Sequence, residues 1–319
     1  MTQGIVIVGM PRSGTSLVAR LLDRWGAVAG EADLLLAADR WNPHGYWEYQ
    51  PIKRLNDALL ASVGANERFP PDDEELLRTR AQDPAFADPA RRILEALGRG
   101  GRVWCVKDPR FRMLLPFWNA IWQDVCFIIT VRHPLDSVRS LQQMVADVVG
   151  PEEYPASAVL LEWQHSLCAV LRHTQGQWPR CFLDYEALVQ SPEQECARLL
   201  AFLDRHCAPP PARPSAADLA ALITRDLHRQ RSSGGQEARV MTAEQDGLYR
   251  FLRQQAAGPE QPFEPQHYPL YPGWREYLRV VDRLFQQRLA VQGEAASANL
   301  HDLLEHRETG LQTVPAGGR

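Results

Sequence analysis

Four apolar residues, Ile5 to Val8, run straight into "GMPRSGTSL" at 9–17, and this junction limits the fold more than any other stretch of the chain. A β-branched run that ends in a glycine turn and delivers a helix is the opening unit of an α/β sheet. Leu17, Val18, Leu21 and Leu22 recur at helical spacing, so the unit reads strand, loop, helix. Gly9 and Gly14 have the spacing of a loop whose backbone N–H groups cradle phosphate. Thr15, however, stands where such loops carry the lysine that reaches a nucleotide's β and γ phosphates.

Further strands are expected at Val103 to Val106, at "CFIITV" (126–131) and at "CFLDY" (181–185). The unbroken apolar run of 126–131 suits a strand covered on both faces, as in a parallel sheet. Helices are expected at Ile52 to Leu60, Pro89 to Leu97 and Val159 to Leu171. Another should run from Ser191, which forms a capping-box pattern with Pro192 and Gln194, to about Leu203. Alternating strands and helices predict a three-layer α/β fold, a mostly parallel sheet flanked by helices, over residues 1–207. "APPPARPS" at 208–215 is a connector to a helical part over 208–314, with helices near 216–227, 242–256 and 275–291. A disordered tail is expected at 315–319.

A chain of 319 residues with 45% hydrophobic content can fill a core. Its net charge of -4 argues against a surface that coats polyanions, so nucleic acid is not an expected partner. Six cysteines without a C-x-x-C pair, most of them in apolar segments, suggest buried free thiols rather than disulfides, zinc or any other metal site. Only "MTQ" precedes the first strand, and no apolar run approaches the roughly 18 residues of a membrane span. The expectation is a soluble, cytoplasmic protein.

A glycine loop opening a helix presents N–H groups and the positive end of a dipole to an anion. Pro11 and Gly14 shape that loop, and Ser13, Thr15 and Ser16 add hydroxyls. Arg12 adds a charge that cannot be lost by deprotonation. A lone loop of this kind is as often only a tight turn. Here Arg132 closes the 126–131 strand at its carboxyl end, where open α/β sheets bind ligands. Ser140 follows about two helical turns later. Two phosphate-suited elements at neighbouring strand ends favour an anion site over a bare turn.

Taken together, "PRSGTS" and the Arg132 and Ser140 pair resemble the sulfotransferases that use 3′-phosphoadenosine-5′-phosphosulfate, in their bacterial type. The first resembles that family's 5′-phosphosulfate loop, and the pair matches the grip on the 3′-phosphate. "VKDPRFRMLLPFW", "CFIITVR" and "CFLDYEALVQSPE" extend the likeness over residues 4 to about 205. The resemblance implies a P-loop NTPase-like fold and a sulfuryl group passed in line to a hydroxyl or amine of an acceptor: a small molecule, glycan, lipid or peptide. The product would be adenosine 3′,5′-bisphosphate, and no metal would be required. It also implies that residues 11–16, Arg132 and Ser140 hold the donor, while Arg12 and Lys107 meet the developing charge.

The chain departs from the family where many members carry a catalytic histidine two residues after that lysine, because Pro109 stands there. Four residues remain as candidate bases. Glu31 in "AGEAD" resembles the base of tyrosylprotein-type members, and Glu48 in "NPHGYWE" belongs to a motif of a bacterial branch; Asp108 and His44 complete the set. "LHRQRSSGG" at 227–235 is a candidate basic lid over the 3′-phosphate, with the helical remainder closing over the acceptor. The alternatives are a P-loop phosphotransferase or nucleotide kinase and a catalytically silent nucleotide-binding protein.

Overall fold

The computed structural model describes residues 4–149, 154–223 and 240–291. Strand β1 (Gly4–Val8) passes through the glycine loop into α1 (Thr15–Trp25). Three helices follow before the next strand: α2 (Gln50–Ser62), α3 (Glu74–Arg80) and α4 (Pro84–Leu97). Helix α4 starts at Pro84 rather than Pro89, because the Asp83 side chain accepts from the Ala85 N–H and Pro84 occupies the first turn, where a missing donor costs nothing. Helix α3 was not legible, since it buries only Leu77 and so carries no apolar stripe.

Strand β2 (Trp104–Lys107) leads to α5 (Phe111–Trp118), and β3 (Val125–Val131) leads to α6 (Pro134–Val149). Then come α7 (Ala156–Thr174), β4 (Arg180–Asp184), α8 (Tyr185–Gln190) and α9 (Pro192–His206). The capping box expected at Ser191 does not form. Ser191 both ends α8 and starts α9, and its side chain makes no capping hydrogen bond.

The four strands form one parallel sheet in the order β2-β1-β3-β4. Val6 of β1 lies level with Val106 on one side and Phe127 on the other, and Ile128 lies level with Cys181. Every strand residue is buried, as a sheet covered on both faces requires. On one face Ile5, Ile7 and Cys126 pack with Leu21 and Trp25 of α1 and Leu199 and Leu203 of α9. On the other, Val6, Val8, Phe127 and Ile129 pack with α2, α5 and α7, where Trp118 stacks on Trp122 at 5.4 Å.

Beyond the connector, α10 (Ala216–Ala220) is shorter than expected, and residues 224–239 lie outside the described part. α11 (Ala243–Ala257) and α12 (Trp274–Val291) form where expected. Leu248 and Leu252 of α11 and Leu278 and Phe285 of α12 join the hydrophobic cluster of the second sheet face. The six cysteines are free, with the Cys126 and Cys207 sulfurs in packing contact at 3.9 Å. Among the described residues no helix is long and apolar enough to cross a membrane. A parallel sheet sends all its carboxyl ends to one edge, so the glycine loop, Lys107, Arg132 and Tyr185 arrive together.

Candidate active site

At that edge lies a cavity of about 420 Å³, bounded by the glycine loop, by Arg132, Ser140 and Tyr185, and by Tyr46, Glu48, Lys107 and Arg110. The loop can take its course only with glycine at position 14. Gly14 has φ 95, and a Cβ there would stand 2.5 Å from the Tyr185 ring. Arg12 also has a left-handed backbone, φ 68, uncommon for a long side chain.

Arg12 ties the cavity together. Its Nε donates to Ser140 Oγ at 2.9 Å and its Nη2 to the Trp41 carbonyl at 3.1 Å. Arg132 donates from Nη1 to the Arg12 carbonyl at 2.6 Å and lies over the Tyr185 ring at 4.6 Å. The two residues read from sequence as a phosphate pair thus meet at Arg12. Burial lowers the Arg12 pKa, as does Arg132, while Tyr46 and Asp39 act against them; the guanidinium stays a cation.

Ser13 behaves differently from its neighbours. Its hydroxyl donates to the Met10 carbonyl at 2.6 Å and meets Thr130 Oγ1 at 2.6 Å, leaving it 2% exposed and off the cavity wall. It fastens the loop to β3. Pro11, Thr15 and Ser16 do line the cavity, and Ser16 Oγ donates to the Tyr46 carbonyl while accepting from Asn42 Nδ2.

The opposite wall is built by a turn around Asp39. Oδ1 of Asp39 accepts from the N–H groups of Trp41 and Asn42 at 2.8 and 2.7 Å, and Oδ2 accepts from the Tyr46 hydroxyl at 2.8 Å. This turn presents Trp41 and Tyr46 to the cavity and delivers Glu48 to its floor. Lys107 Nζ donates to Glu48 Oε1 at 2.5 Å, with both side chains under a tenth exposed. Burial lifts the Glu48 carboxyl above the ordinary range, with Asp108 adding to the rise and Lys107 and Arg110 pulling against it.

Arg110 anchors the floor. Its Nε meets Asp57 at 2.5 Å, Nη2 meets Glu67 at 3.1 Å, and Nη1 faces Asp108 at 3.3 Å and Glu48 at 3.9 Å.

The other candidate bases stand elsewhere. Glu31 is exposed, accepts from the Tyr49 hydroxyl at 2.5 Å and does not line the cavity; that bond holds its pKa below the ordinary value. Asp108 is buried behind the wall, accepting from the Arg110 N–H at 2.7 Å. His44 lines the mouth and is exposed, and Pro109 lies in the wall. The stretch 227–235 lies outside the described residues, and among the described residues none beyond Tyr185 lines the cavity.

Sequence reasoning missed Trp41, Tyr46, Glu67, Arg110 and Tyr185. Tyr46 and Arg110 sat inside motifs already singled out, and Tyr185 directly follows a strand, but "NERF" around Glu67 carries neither motif nor periodicity.

The family model described as "Sulfotransferase family" matches residues 4–209. A Caenorhabditis briggsae protein provisionally named a protein-tyrosine sulfotransferase is 25% identical over 205 residues, covering 63% of this chain and 65% of that one. Nodulation protein NoeE of Sinorhizobium fredii (strain NBRC 101917 / NGR234) is 23% identical over 223 residues, 62% of this chain and 49% of that one. The chain therefore spans just under two thirds of the first relative and about half of the second. Among solved structures, the sulfotransferase domain from the curacin biosynthetic pathway has a TM-score of 0.41 at 17% identity, covering 88% of this chain and 97% of that one. Sulfotransferase STF9 from Mycobacterium avium has a TM-score of 0.40 at 14% identity, covering 91% and 76%. With the matched region running from β1 through α9 and including the glycine loop, Lys107 and the Arg132 and Ser140 edge, the chain belongs to the sulfotransferase family.

Proposed function

We propose that this sulfotransferase uses 3′-phosphoadenosine-5′-phosphosulfate as donor and sulfates a hydroxyl or amine of an acceptor bound beside Glu48 and Tyr46. The observation that carries this reading is one cavity with cations and a glycine loop at one end and a buried lysine and carboxylate pair at the other.

The residues present fit such a donor. The loop packs against the Tyr185 ring only because Gly14 lacks a Cβ, and the start of α1 offers N–H groups to a 5′-phosphate. Arg12, Arg20 and Arg132 give the same end three cations, and Ser140 adds a hydroxyl, which suits a ligand with a second phosphate. The donor supplies an activated sulfuryl group on a phosphate that departs as an anion. No Walker lysine is needed for a ligand without β and γ phosphates.

In this reading Arg132 and Ser140 hold the 3′-phosphate, and Arg12 steadies charge on the departing oxygen. An arginine can do so because that oxygen leaves without needing a proton. Lys107 faces the sulfuryl oxygens, and Glu48 takes the acceptor's proton. Its raised pKa makes it a stronger base than an exposed glutamate. Catalysis is then positioning and electrostatic stabilisation.

Melting curves test the donor. Adenosine 3′,5′-bisphosphate should raise the melting temperature well beyond ATP or AMP, and Arg132→Ala should abolish the difference. Equal shifts from all three ligands would overturn the assignment. Phosphoryl transfer from ATP with magnesium would make the protein a phosphotransferase.

A further inference from the structure

Glu67, between α2 and α3, lines the same cavity. Its main chain is pinned by Arg112 of α5, which is 2% exposed and donates to the carbonyls of Glu67 and Pro109, each at 2.5 Å. The side chain remains 23% exposed; Oε2 faces Arg110 at 3.1 Å, and Oε1 has no hydrogen-bond partner among the described residues. Burial would raise its pKa, but Arg110, Arg112, Arg68 and Lys53 together hold it below the ordinary value, so it is a carboxylate.

Charge balance for Arg110 does not explain Glu67. The guanidinium already faces Asp57, Asp108 and Glu48. Lys53 in turn pairs with Asp57 at 3.0 Å, and Lys107 with Glu48. Arg112 and Arg68 give Glu67 further counter-charges, yet only its Oε2 faces a donor and its second oxygen is left to the cavity. A carboxylate only accepts hydrogen bonds, so this end of the cavity reads donors and repels anions. Glu48 and Glu67 sit on the two terminal nitrogens of one guanidinium, which brings them within reach of adjacent substituents on a single ring. Tyr46, Pro109 and Met144 offer that ring apolar contact.

We propose that Glu67 sets acceptor specificity: its second oxygen takes a hydroxyl or ammonium hydrogen carried next to the group being sulfated, so the acceptor is a neutral or cationic vicinal diol or amino alcohol on a compact ring. This rests on the sulfuryl-transfer reading above. In the step itself the acceptor oxygen bonds to sulfur, the bond from sulfur to the donor's phosphate oxygen breaks, and the acceptor proton goes to Glu48. Glu67 gains and loses nothing.

The test uses cyclohexanol, cyclohexane-1,2-diol, 2-aminocyclohexanol and 2-hydroxycyclohexanecarboxylate. Binding to the protein saturated with adenosine 3′,5′-bisphosphate is measured by calorimetry, alongside initial rates with the donor. The diol and amino alcohol should bind roughly tenfold or more tightly than cyclohexanol, because cyclohexanol would cover the second Glu67 oxygen without offering it a donor, and the carboxylate should bind worst. Glu67→Gln keeps size and loses charge, so it should bring the amino alcohol down to the level of the diol. Glu67→Ala should remove both preferences. Equal binding of all four rings, failure of both diol and amino alcohol to bind, or an undiminished amino-alcohol advantage in Glu67→Gln would overturn the inference. A melting shift with the bisphosphate separates the two claims: its absence from the wild type sinks the donor reading, and its presence without ring preference sinks this inference alone.

Discussion

Lys107 Nζ lies 2.5 Å from Glu48 Oε1, and neither side chain is more than 7% exposed. A pair so far from water is stable only when matched, and Lys107 pulls the Glu48 carboxyl back toward its charged form against the burial that raises it. Glu48→Gln keeps the shape and loses the basicity. We expect kcat to fall roughly 10²-fold or more while affinity for adenosine 3′,5′-bisphosphate is unchanged. Glu31→Gln should leave kcat near wild type, because Glu31 is exposed and bound to Tyr49 away from the cavity. The reverse outcome would move the base to Glu31.

The pH dependence follows from the same pair. A general base works as the carboxylate, so the rate rises with pH through the Glu48 pKa. Burial raises that pKa above its ordinary 4.5. The acidic limb of kcat/KM should therefore lie above 4.5, and Lys107→Met, which removes a cation that favours the carboxylate, should move the limb higher still. A limb at or below 4.5 in the wild type would exclude Glu48.

Two serines of the donor end should separate by their partners. Ser13 is spent on Met10 and Thr130 inside the protein, so Ser13→Ala should cost about 1 kcal/mol of stability and change bisphosphate affinity by less than about twofold. Ser140 accepts from Arg12 within the cavity. Ser140→Ala should weaken the bisphosphate about tenfold, as expected when a hydrogen bond to a charged group is lost, and should also cost about 1 kcal/mol of stability without ligand because Arg12 Nε loses its acceptor. Titration calorimetry distinguishes the two roles, and melting curves on both variants check the stability.

The contrast between these serines marks what a sequence can hold. The strand, glycine loop and helix of residues 4–25, and the strand end at Arg132, are written in local periodicity and turn chemistry, and they form as read. Helix α3 is polar on nearly every side, so no stripe announced it. Glu31 and Glu48 looked alike as carboxylates in loops. Only the meeting of residue 48 with residue 107 across 59 positions of chain set them apart. Ser13 looked like its neighbours until Thr130 of another strand was beside it. Arg110 was within a quoted motif, but its four carboxylates come from three other segments as well as its own. Pairings of that kind have no period and no fixed spacing.

Stability should also carry a pH signature, and its source lies away from the cavity. Glu162 of α7 is 4% exposed, accepts the Tyr154 hydroxyl and stands 4.0 Å from Arg112. Burial pushes its pKa up to about 8, against the pull of Arg112 and Arg68. The folded state therefore keeps a proton that the unfolded chain releases near 4.5, so stability falls as pH rises from about 4.5 to about 8. At about 1.4 kcal/mol per unit of pKa, the loss is on the order of 5 kcal/mol once the window is crossed. Glu186, pushed up to about 7 by burial and by Asp184, acts in the same sense. Glu74, held at about 2 although burial opposes it, because His173 and Arg172 outweigh that burial, acts in the opposite sense and only below 4.5, outside the window. Glu162→Gln is neutral throughout and still accepts from Tyr154. Its melting temperature should exceed the wild type's at pH 8.5, and the two should converge near pH 5. A difference that does not change between those pH values would show that Glu162 is ionised in the folded protein.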